Sequence, residues 1–189
     1  MTILRDITND KHREVENLPF IQKLLNGQLT KNEYVFYLHE LYAIYSTIES
    51  YAKAAGLFEG LTDIERSKKI QEDLKELDPD YSRELLDNTR YYIDYLTSLF
   101  VSEESRHLLF AHVYVRHMGD LYGGKLIART VPGQGRAYQF EDRPGLIKEF
   151  NKKLYIELGD EANRAFDWFI KIFGEMGEKL GYANIQISK

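Results

Sequence analysis

Tyr114-Val-Arg-His-Met-Gly-Asp-Leu-Tyr-Gly-Gly-Lys125 is a helical pattern that contains three glycines. Gly119, Gly123 and Gly124 each cost a helix interior about 1 kcal/mol relative to alanine. Gly119 and Gly123 are four residues apart, so they share one helix face and leave on it a strip without side chains. Asp120 is next to that strip. Two interpretations stay open: a surface on which a flat ligand contacts the backbone, or a close helix–helix crossing or turn with a tolerated acid.

The composition limits the class of protein. The chain has 189 residues, 43% of them hydrophobic and 29% charged, which is typical of one soluble globular domain. Cysteine is absent, which excludes disulfide scaffolds, thiolate metal sites and thiol nucleophiles. A formal charge of -5 argues against a nucleic-acid partner. The N-terminal residues do not form a secretory signal and no apolar run approaches a membrane span, so we expect a cytoplasmic protein without membrane contact.

Helical periodicity runs through most of the chain and predicts an all-α fold with a single domain over residues 1–189. Thr30, with Glu33 three residues later, predicts a capping box at the start of a long helix. The segment 131–144 breaks the pattern with turn residues, and so long an irregular connection is either mobile or functional. The predicted helices cover about residues 4–16, 20–25, 31–55, 62–77, 82–100, 103–130, 146–158 and 160–180.

The candidate metal ligands are histidines and carboxylates. His12 precedes Glu16 by one helical turn, so the carboxylate can bond one ring nitrogen and leave the other for a metal; the same spacing also suits a surface histidine. Glu104-Ser-Arg-His107 has the spacing of a di-iron bundle, but such a site needs a second copy that the sequence lacks. His112 and His117 are candidates for the core or for a pocket. The chain contains neither a complete dinucleotide fingerprint nor a Gly-x-Ser-x-Gly elbow.

Residues 111–125 resemble the distal-helix motif of the haem oxygenases, which is usually close to His-x-Tyr-x-Arg-Tyr-Leu-Gly-Asp-Leu-Ser-Gly-Gly-Gln. Residues 4–16 are similar to the family's proximal helix, and Gly27-Gln-Leu-Thr30 follows at the family's distance. The resemblance covers nearly the whole chain and implies a haem-oxygenase-like helical bundle. It holds haem between the proximal N-terminal helix and a kinked, glycine-containing distal helix. Further matching segments are residues 41–45, 66–74 and 161–166.

The resemblance implies that haem is both substrate and cofactor. His12 would be the proximal ligand of the iron, and Glu16 its neighbour. Gly119 and Gly123 would let the distal helix kink and bring its backbone onto the haem face. The flat ligand of the first interpretation is then the haem itself.

The resemblance also implies a reaction. Asp120, through ordered water and a network with Arg116 and Tyr45, would keep the activated oxygen available to attack a ring meso carbon. The expected products are biliverdin, carbon monoxide and ferrous iron, with the α-meso carbon as the expected position of cleavage. The alternative is a haem-binding or haem-sensing protein of the same fold without turnover. A thiamin-processing or di-iron helical protein is disfavoured by the missing cysteine and the single Glu-x-x-His motif.

The sequence departs from the family where the haem propionates would be held. The family carries a lysine and an arginine four residues apart on the penultimate helix, and alignment on Phe150 gives Asn151 and Tyr155 there. His117 stands where the family usually has an aromatic residue, and Tyr122 where it usually has serine. A register shifted by about one turn restores the spacing of two cations, so the expected propionate contacts are Arg5, Tyr114, Lys148 and Lys152.

The implied partners follow from the reaction. It consumes O2 and needs an electron donor, for which ferredoxin or another reductase is expected. A bilin reductase is a possible downstream partner in the same scheme.

Overall fold

The computed structural model describes residues 3–182, and every regular element in that range is helical. The predicted all-α class is therefore confirmed. The ends of the predicted domain, residues 1–2 and 183–189, lie outside the described range. No helix within residues 3–182 is both long and apolar enough to cross a membrane. The α-helices are α1 (Ile3–Glu16), α2 (Pro19–Leu25), α3 (Lys31–Ala54), α4 (Ser67–Leu77), α5 (Asp87–Val101), α6 (Leu109–Val113), α7 (Gly119–Ile127), α8 (Arg143–Asn151) and α9 (Gly159–Lys179).

Helix α3 is the centre of the hydrophobic core. It begins at the predicted capping box, in which the Thr30 hydroxyl accepts a hydrogen bond from the Glu33 backbone and the Glu33 carboxylate accepts one from the Thr30 backbone. Its buried side chains come from more than one face, and α4, α5 and α6 pack around it. Helix α9 packs against α1, α2, α5 and α6, so the N-terminal helix is held mainly by the C-terminal one.

Two helices begin later than the sequence pattern predicts. Helix α4 starts at Ser67 rather than near residue 62, because the Glu49 carboxylate on α3 accepts hydrogen bonds from the backbone N–H groups of Arg66 and Ser67. Helix α5 starts at Asp87 rather than near residue 82. There the Glu175 carboxylate on α9 accepts from the Asp87 N–H at 3.1 Å. Carboxylates from distant helices thus cap the N-termini of both helices, and no local sequence signal predicts these contacts.

The predicted helix over residues 103–130 is a succession of different helical segments. It begins with the 3-10 turn Arg106–Leu108, continues as α6, widens into a π-helical segment at Tyr114–Met118, and returns to α-helix in α7. We call Tyr114–Met118 the π turn. A π-helical insertion is a recognised cause of helix kinks and is frequent at functional sites. The kink expected of the distal helix therefore has a local cause in the backbone.

The irregular segment 131–144 is packed against the rest of the fold. It contains the 3-10 turn Arg136–Tyr138, in which Ala137 and Tyr138 are buried. The Ala137 N–H donates to Asp73 Oδ2 at 2.9 Å, which ties the segment to α4. The predicted helix 146–158 is shifted: α8 starts at Arg143 and ends at Asn151, and a separate 3-10 turn covers Ile156–Leu158.

Candidate functional site

A cavity of about 490 Å³ lies between helix α1 on one side and the π turn with α7 on the other. Its walls combine apolar and aromatic side chains with polar ones, which include Arg5, His12, Glu16, Arg116, Asp120 and Asn151. A concave site that joins apolar walls with convergent polar groups is typical of a site for a small organic ligand. The apolar wall includes Val15, Ile21, Leu24, Ile127, Phe166 and Phe173.

His12 faces the cavity from α1. Its side chain is 53% exposed, and the Glu16 Oε2 atom lies 3.5 Å from its Nδ1 atom. The ring of Phe166 contacts the imidazole edge to face, with ring centroids 5.9 Å apart. Because Glu16 approaches Nδ1, the second ring nitrogen, Nε2, is the one available to a metal. The predicted pairing of His12 with Glu16 is thus present.

Gly119 and Gly123 face the cavity from α7. A Cβ atom built on either glycine would meet no atom of the described residues within 4 Å. Gly124 is different, because a Cβ there would lie 3.1 Å from the Cβ and Cδ1 atoms of the buried Tyr138. Close packing therefore explains Gly124 only. The strip formed by Gly119 and Gly123, here called the glycine face, borders open space, which favours the ligand interpretation over a helix crossing.

Asp120 lies beside the glycine face with Tyr45 and Arg116. The Tyr45 hydroxyl donates a short hydrogen bond to Asp120 Oδ2, and Arg116 Nε donates to the Tyr45 hydroxyl oxygen at 3.2 Å. The Arg116 guanidinium is 3.8 Å from Asp120 Oδ1. The structure thus brings together the three residues that the resemblance groups, in a largely buried cluster that faces the cavity through Asp120 and Arg116.

Burial raises the pKa of Asp120 above its ordinary value, although the Arg116 charge and the Tyr45 hydrogen bond oppose the shift. Arg143 holds the same residue through the backbone. Its guanidinium donates to the Asp120 carbonyl at 2.9 Å and to the Leu121 carbonyl at 2.5 Å. Sequence reasoning missed Arg143, because it follows an irregular segment and its partners are carbonyl groups.

The expected propionate contacts divide into two groups. Arg5 and Tyr114 line the cavity, Arg5 as an exposed cation of α1 and Tyr114 as a buried residue of the π turn. Lys148 and Lys152 are exposed on and just after α8 and are outside the lining, and Lys152 Nζ donates to the Glu149 carboxylate at 2.6 Å. The α8 residue that does line the cavity is Asn151, which is the residue that straight alignment gives.

Some lining residues carried no signal of their own in the sequence. Asn9 lines the cavity one turn before His12, and Tyr37 lines it two turns before Tyr45. Helical spacing from the predicted site residues could have found both. Tyr122 also lines the cavity, and it remains 64% exposed.

The remaining histidines do not assemble a metal site. His112 and His117 are fully buried, and each contacts one glutamate, Glu161 and Glu49 respectively. Within residues 3–182 no cluster of three or more histidine and carboxylate side chains could hold a metal ion. The di-iron interpretation that Glu104-x-x-His107 raised therefore gains no support from the described range.

Comparison with known proteins gives consistent matches. The family model described as heme oxygenase matches residues 1–175. "Heme oxygenase" of Guillardia theta is 29% identical over 210 residues, covering 96% of this chain and 87% of that protein. The crystal structure of heme oxygenase-1 from Synechocystis sp. PCC6803 in complex with heme is 25% identical, with a TM-score of 0.80 over 95% of this chain and 93% of that one. The heme oxygenase structure from Leptospira interrogans, 24% identical, has the same fold with a TM-score of 0.80 over 92% and 97%.

Proposed function

The chain belongs to the heme oxygenase family and is an oxidoreductase of that family, and on this premise we propose the details of its reaction. It cleaves haem at the α-meso carbon to biliverdin, carbon monoxide and ferrous iron, using O2 and external electrons. One observation carries the proposal: a single imidazole faces the cavity from α1, and opposite it is a helix that presents glycines and one buried acid.

The residues present fit haem. A porphyrin is flat and largely apolar, and it needs one axial ligand, one face of close contact and a polar edge. The cavity has an exposed histidine on one wall, the glycine face on the opposite wall, and apolar side chains between them. Arg5 and the amide of Asn151 supply polarity at its margin, and the Asn151 Oδ1 atom is buried without a hydrogen-bond partner among the described residues.

His12 ligates the iron through Nε2 in this proposal. Glu16 Oε2, 3.5 Å from Nδ1, would favour the tautomer that carries its proton on Nδ1 and would help to orient the ring. Phe166 supports the imidazole from the side. Bound haem would supply the iron that activates O2, and His12 would supply a neutral imidazole, which gives the iron less electron density than a thiolate does.

Asp120, Arg116 and Tyr45 govern the opposite side. Asp120 accepts from the Tyr45 hydroxyl through Oδ2, so Oδ1, which is 3.8 Å from the Arg116 guanidinium, is the carboxylate atom that would orient water in the cavity. Arg116 offsets the charge of the buried acid and fixes the Tyr45 hydroxyl. Gly119 and Gly123 leave room for haem to approach the backbone. Water held by Asp120 would then favour reaction at the ring edge of the haem substrate.

Arg5 and Tyr114 hold the propionates, with Asn151 contributing from α8. Lys148 and Lys152 remain proposed contacts that act once haem is bound, through their long side chains. Electrons come from ferredoxin or another reductase, and a bilin reductase takes the product. The reaction takes place in the cytoplasm without membrane attachment.

Haemin titration of the purified protein tests haem binding, and the later addition of reductant and O2 tests turnover. We expect one equivalent to bind with the Soret spectrum of histidine-ligated haem, and we expect reductant and O2 to convert the complex into a bilin. Product chromatography against the four biliverdin isomers identifies the cleaved carbon. A complex that keeps its Soret band through repeated reduction in air would instead identify a haem-binding protein without turnover.

Two substitutions test the residue assignments. His12→Ala should remove the histidine signature from the haemin spectrum, while His107→Ala, at an exposed position outside the cavity lining, should leave it unchanged. Asp120→Ala should keep haem bound and divert turnover from bilin to other products. An unchanged bilin yield in Asp120→Ala would remove the role assigned to that carboxylate.

A further inference from the structure

His117 is a fully buried residue of the π turn whose two ring nitrogens both face oxygen atoms. Its Nδ1 atom is 3.2 Å from the Val113 carbonyl oxygen, and its Nε2 atom is 3.0 Å from Glu49 Oε1. A carbonyl oxygen only accepts hydrogen bonds, and an ionised carboxylate only accepts them as well. A neutral imidazole carries one N–H and can satisfy only one of these two acceptors.

Glu49 acts as a hydrogen-bond acceptor at both carboxylate oxygens, at Oε1 from the Arg66 N–H and at Oε2 from the Ser67 N–H, which is the role of a carboxylate. Burial alone would raise its pKa, but hydrogen bonds from His117 and from the Arg66 and Ser67 backbone outweigh that effect and lower it below the ordinary value. The carboxylate therefore provides no proton for His117 Nε2. The two acceptors are both satisfied only if the ring carries N–H on each nitrogen, which is the imidazolium form.

His112, five residues earlier in α6, shows the contrasting arrangement. Its Nδ1 atom is 2.8 Å from the Tyr92 hydroxyl, which can donate, and its Nε2 atom is 2.9 Å from Glu161 Oε1. A neutral ring with its proton on Nε2 satisfies both contacts. Burial also lowers the pKa of His112, which favours the neutral form.

The His117–Glu49 contact is parallel to a contact of the proposed catalytic cluster. Tyr45 and Glu49 are one turn apart on α3, and His117 and Asp120 are one turn apart across the junction of the π turn with α7. The two pairs Tyr45–Asp120 and Glu49–His117 therefore connect the same two helical segments side by side. The Tyr45 and His117 rings are in contact, with centroids 5.0 Å apart.

We infer that His117 is a positioning residue held as an imidazolium, and that its ion pair with Glu49 fixes the π turn on α3 so that Asp120 stays hydrogen-bonded to Tyr45. The role of this ion pair in catalysis rests on the proposed function. The ion pair itself and its effect on the Tyr45–Asp120 hydrogen bond are properties of the haem-free chain. A buried ion pair costs desolvation, so its gain lies in fixing one register of two segments more than in stability.

Nitrogen-15 NMR of the histidine rings in haem-free protein tests the protonation state. We expect His117 to have the shifts of two protonated nitrogens, because both ring nitrogens face oxygen atoms that accept hydrogen bonds. We expect His112, in the same spectrum, to have one protonated and one bare nitrogen. The signals are assigned by their loss in His117→Phe and His112→Phe. A neutral ring at His117 would overturn the inference.

The Tyr45 hydroxyl proton tests the positioning. Its resonance is assigned by its loss in Tyr45→Phe, and its exchange with solvent reports how often the Tyr45–Asp120 bond opens. We expect His117→Phe to accelerate that exchange by at least about tenfold. His112→Phe, which also removes a buried histidine beside a glutamate, should leave the exchange within about twofold of the parent protein.

A double variant keeps the inference testable if His117→Phe does not fold. Glu49→Gln combined with His117→Gln replaces the charged pair with two amides that can still hydrogen-bond to each other. Tyr45 exchange nearly as slow in this double variant as in the parent would support positioning through this contact, and exchange accelerated at least about tenfold despite the amide pair would refute it. Both measurements use haem-free protein, so they fail or succeed independently of haem cleavage. With haem loaded, His117→Phe should lower the bilin rate while haemin affinity stays unchanged.

Discussion

The adjacent glycines of α7 allow a sharp test of what the glycine face is for. Gly123→Ala and Gly124→Ala make the same chemical change at neighbouring positions of one helix. At Gly123 the new methyl meets no described atom within 4 Å, whereas at Gly124 it lies 3.1 Å from two atoms of the buried Tyr138. The two variants therefore share the gain in helix propensity and differ in what the methyl touches.

The structure sets the expected magnitudes. Alanine in place of glycine within a helix gains about 0.5–1 kcal/mol, so Gly123→Ala should raise the Tm of the haem-free protein by about 1–4 °C for a chain of this size. Gly124→Ala should lower it, because forced overpacking costs about 1–3 kcal/mol and exceeds that gain. The same overpacking cost applies at Gly123 once haem occupies the cavity. Haemin affinity of Gly123→Ala should then fall by about 5- to 150-fold.

Thermal unfolding of haem-free protein and haemin titration followed at the Soret band measure the two effects separately. The signature expected of Gly123→Ala is a more stable haem-free protein that binds haemin less tightly. A less stable haem-free Gly123→Ala would mean that the position is packed. Unchanged haemin affinity would mean that haem does not lie against the glycine face, and the proposed site would have to move.

Two further predictions concern stability. Burial lowers the pKa of His112, so the unfolded chain takes up a proton at a higher pH than the folded protein does. The free energy of unfolding should therefore fall as the pH drops below about 6.5. Urea titrations across this pH range should show a smaller pH dependence of that free energy in His112→Asn. A slope that His112→Asn leaves unchanged would contradict the assignment. Arg143→Met removes three donated hydrogen bonds to carbonyl groups, which are those of Asp120, Leu121 and Tyr138. It should cost about 2 kcal/mol in urea unfolding, by the scale of hydrogen bonds from a charged donor, and a loss within error of zero would mean that water replaces the guanidinium.

The sequence was sufficient for features that depend on local chemistry. The capping box at Thr30 and Glu33 and the pairing of His12 with Glu16 both involve residues within one turn of each other. Helical spacing places such residues together regardless of the rest of the fold. The grouping of Asp120 with Tyr45 came from the resemblance, since 75 residues separate them.

Features that depend on distant partners were beyond local reasoning. The starts of α4 and α5 are set by Glu49 and Glu175, which reach them from α3 and α9. The same holds for Arg143, whose partners are main-chain carbonyls, and for His117, whose partner is 68 residues away. A buried acid in a helix gives no sign in the sequence of which N–H group it will meet. Such contacts follow from the packing of elements and can be assigned only after that packing is known.

Three residues of α7 each lower the stability of the haem-free fold, and together they favour a ligand site more strongly than any one of them does. Gly119 and Gly123 each give up helix stability, and the described residues make no contact that would require a glycine there. Asp120 is buried with its pKa raised, so its charge is also held at a cost. A sequence selected for the stability of the haem-free fold alone would replace all three, and local rules are broken together mainly where function requires it. Haem bound as proposed would remove the contradiction, because its flat face would use the space left by the missing side chains and the reaction would use the acid.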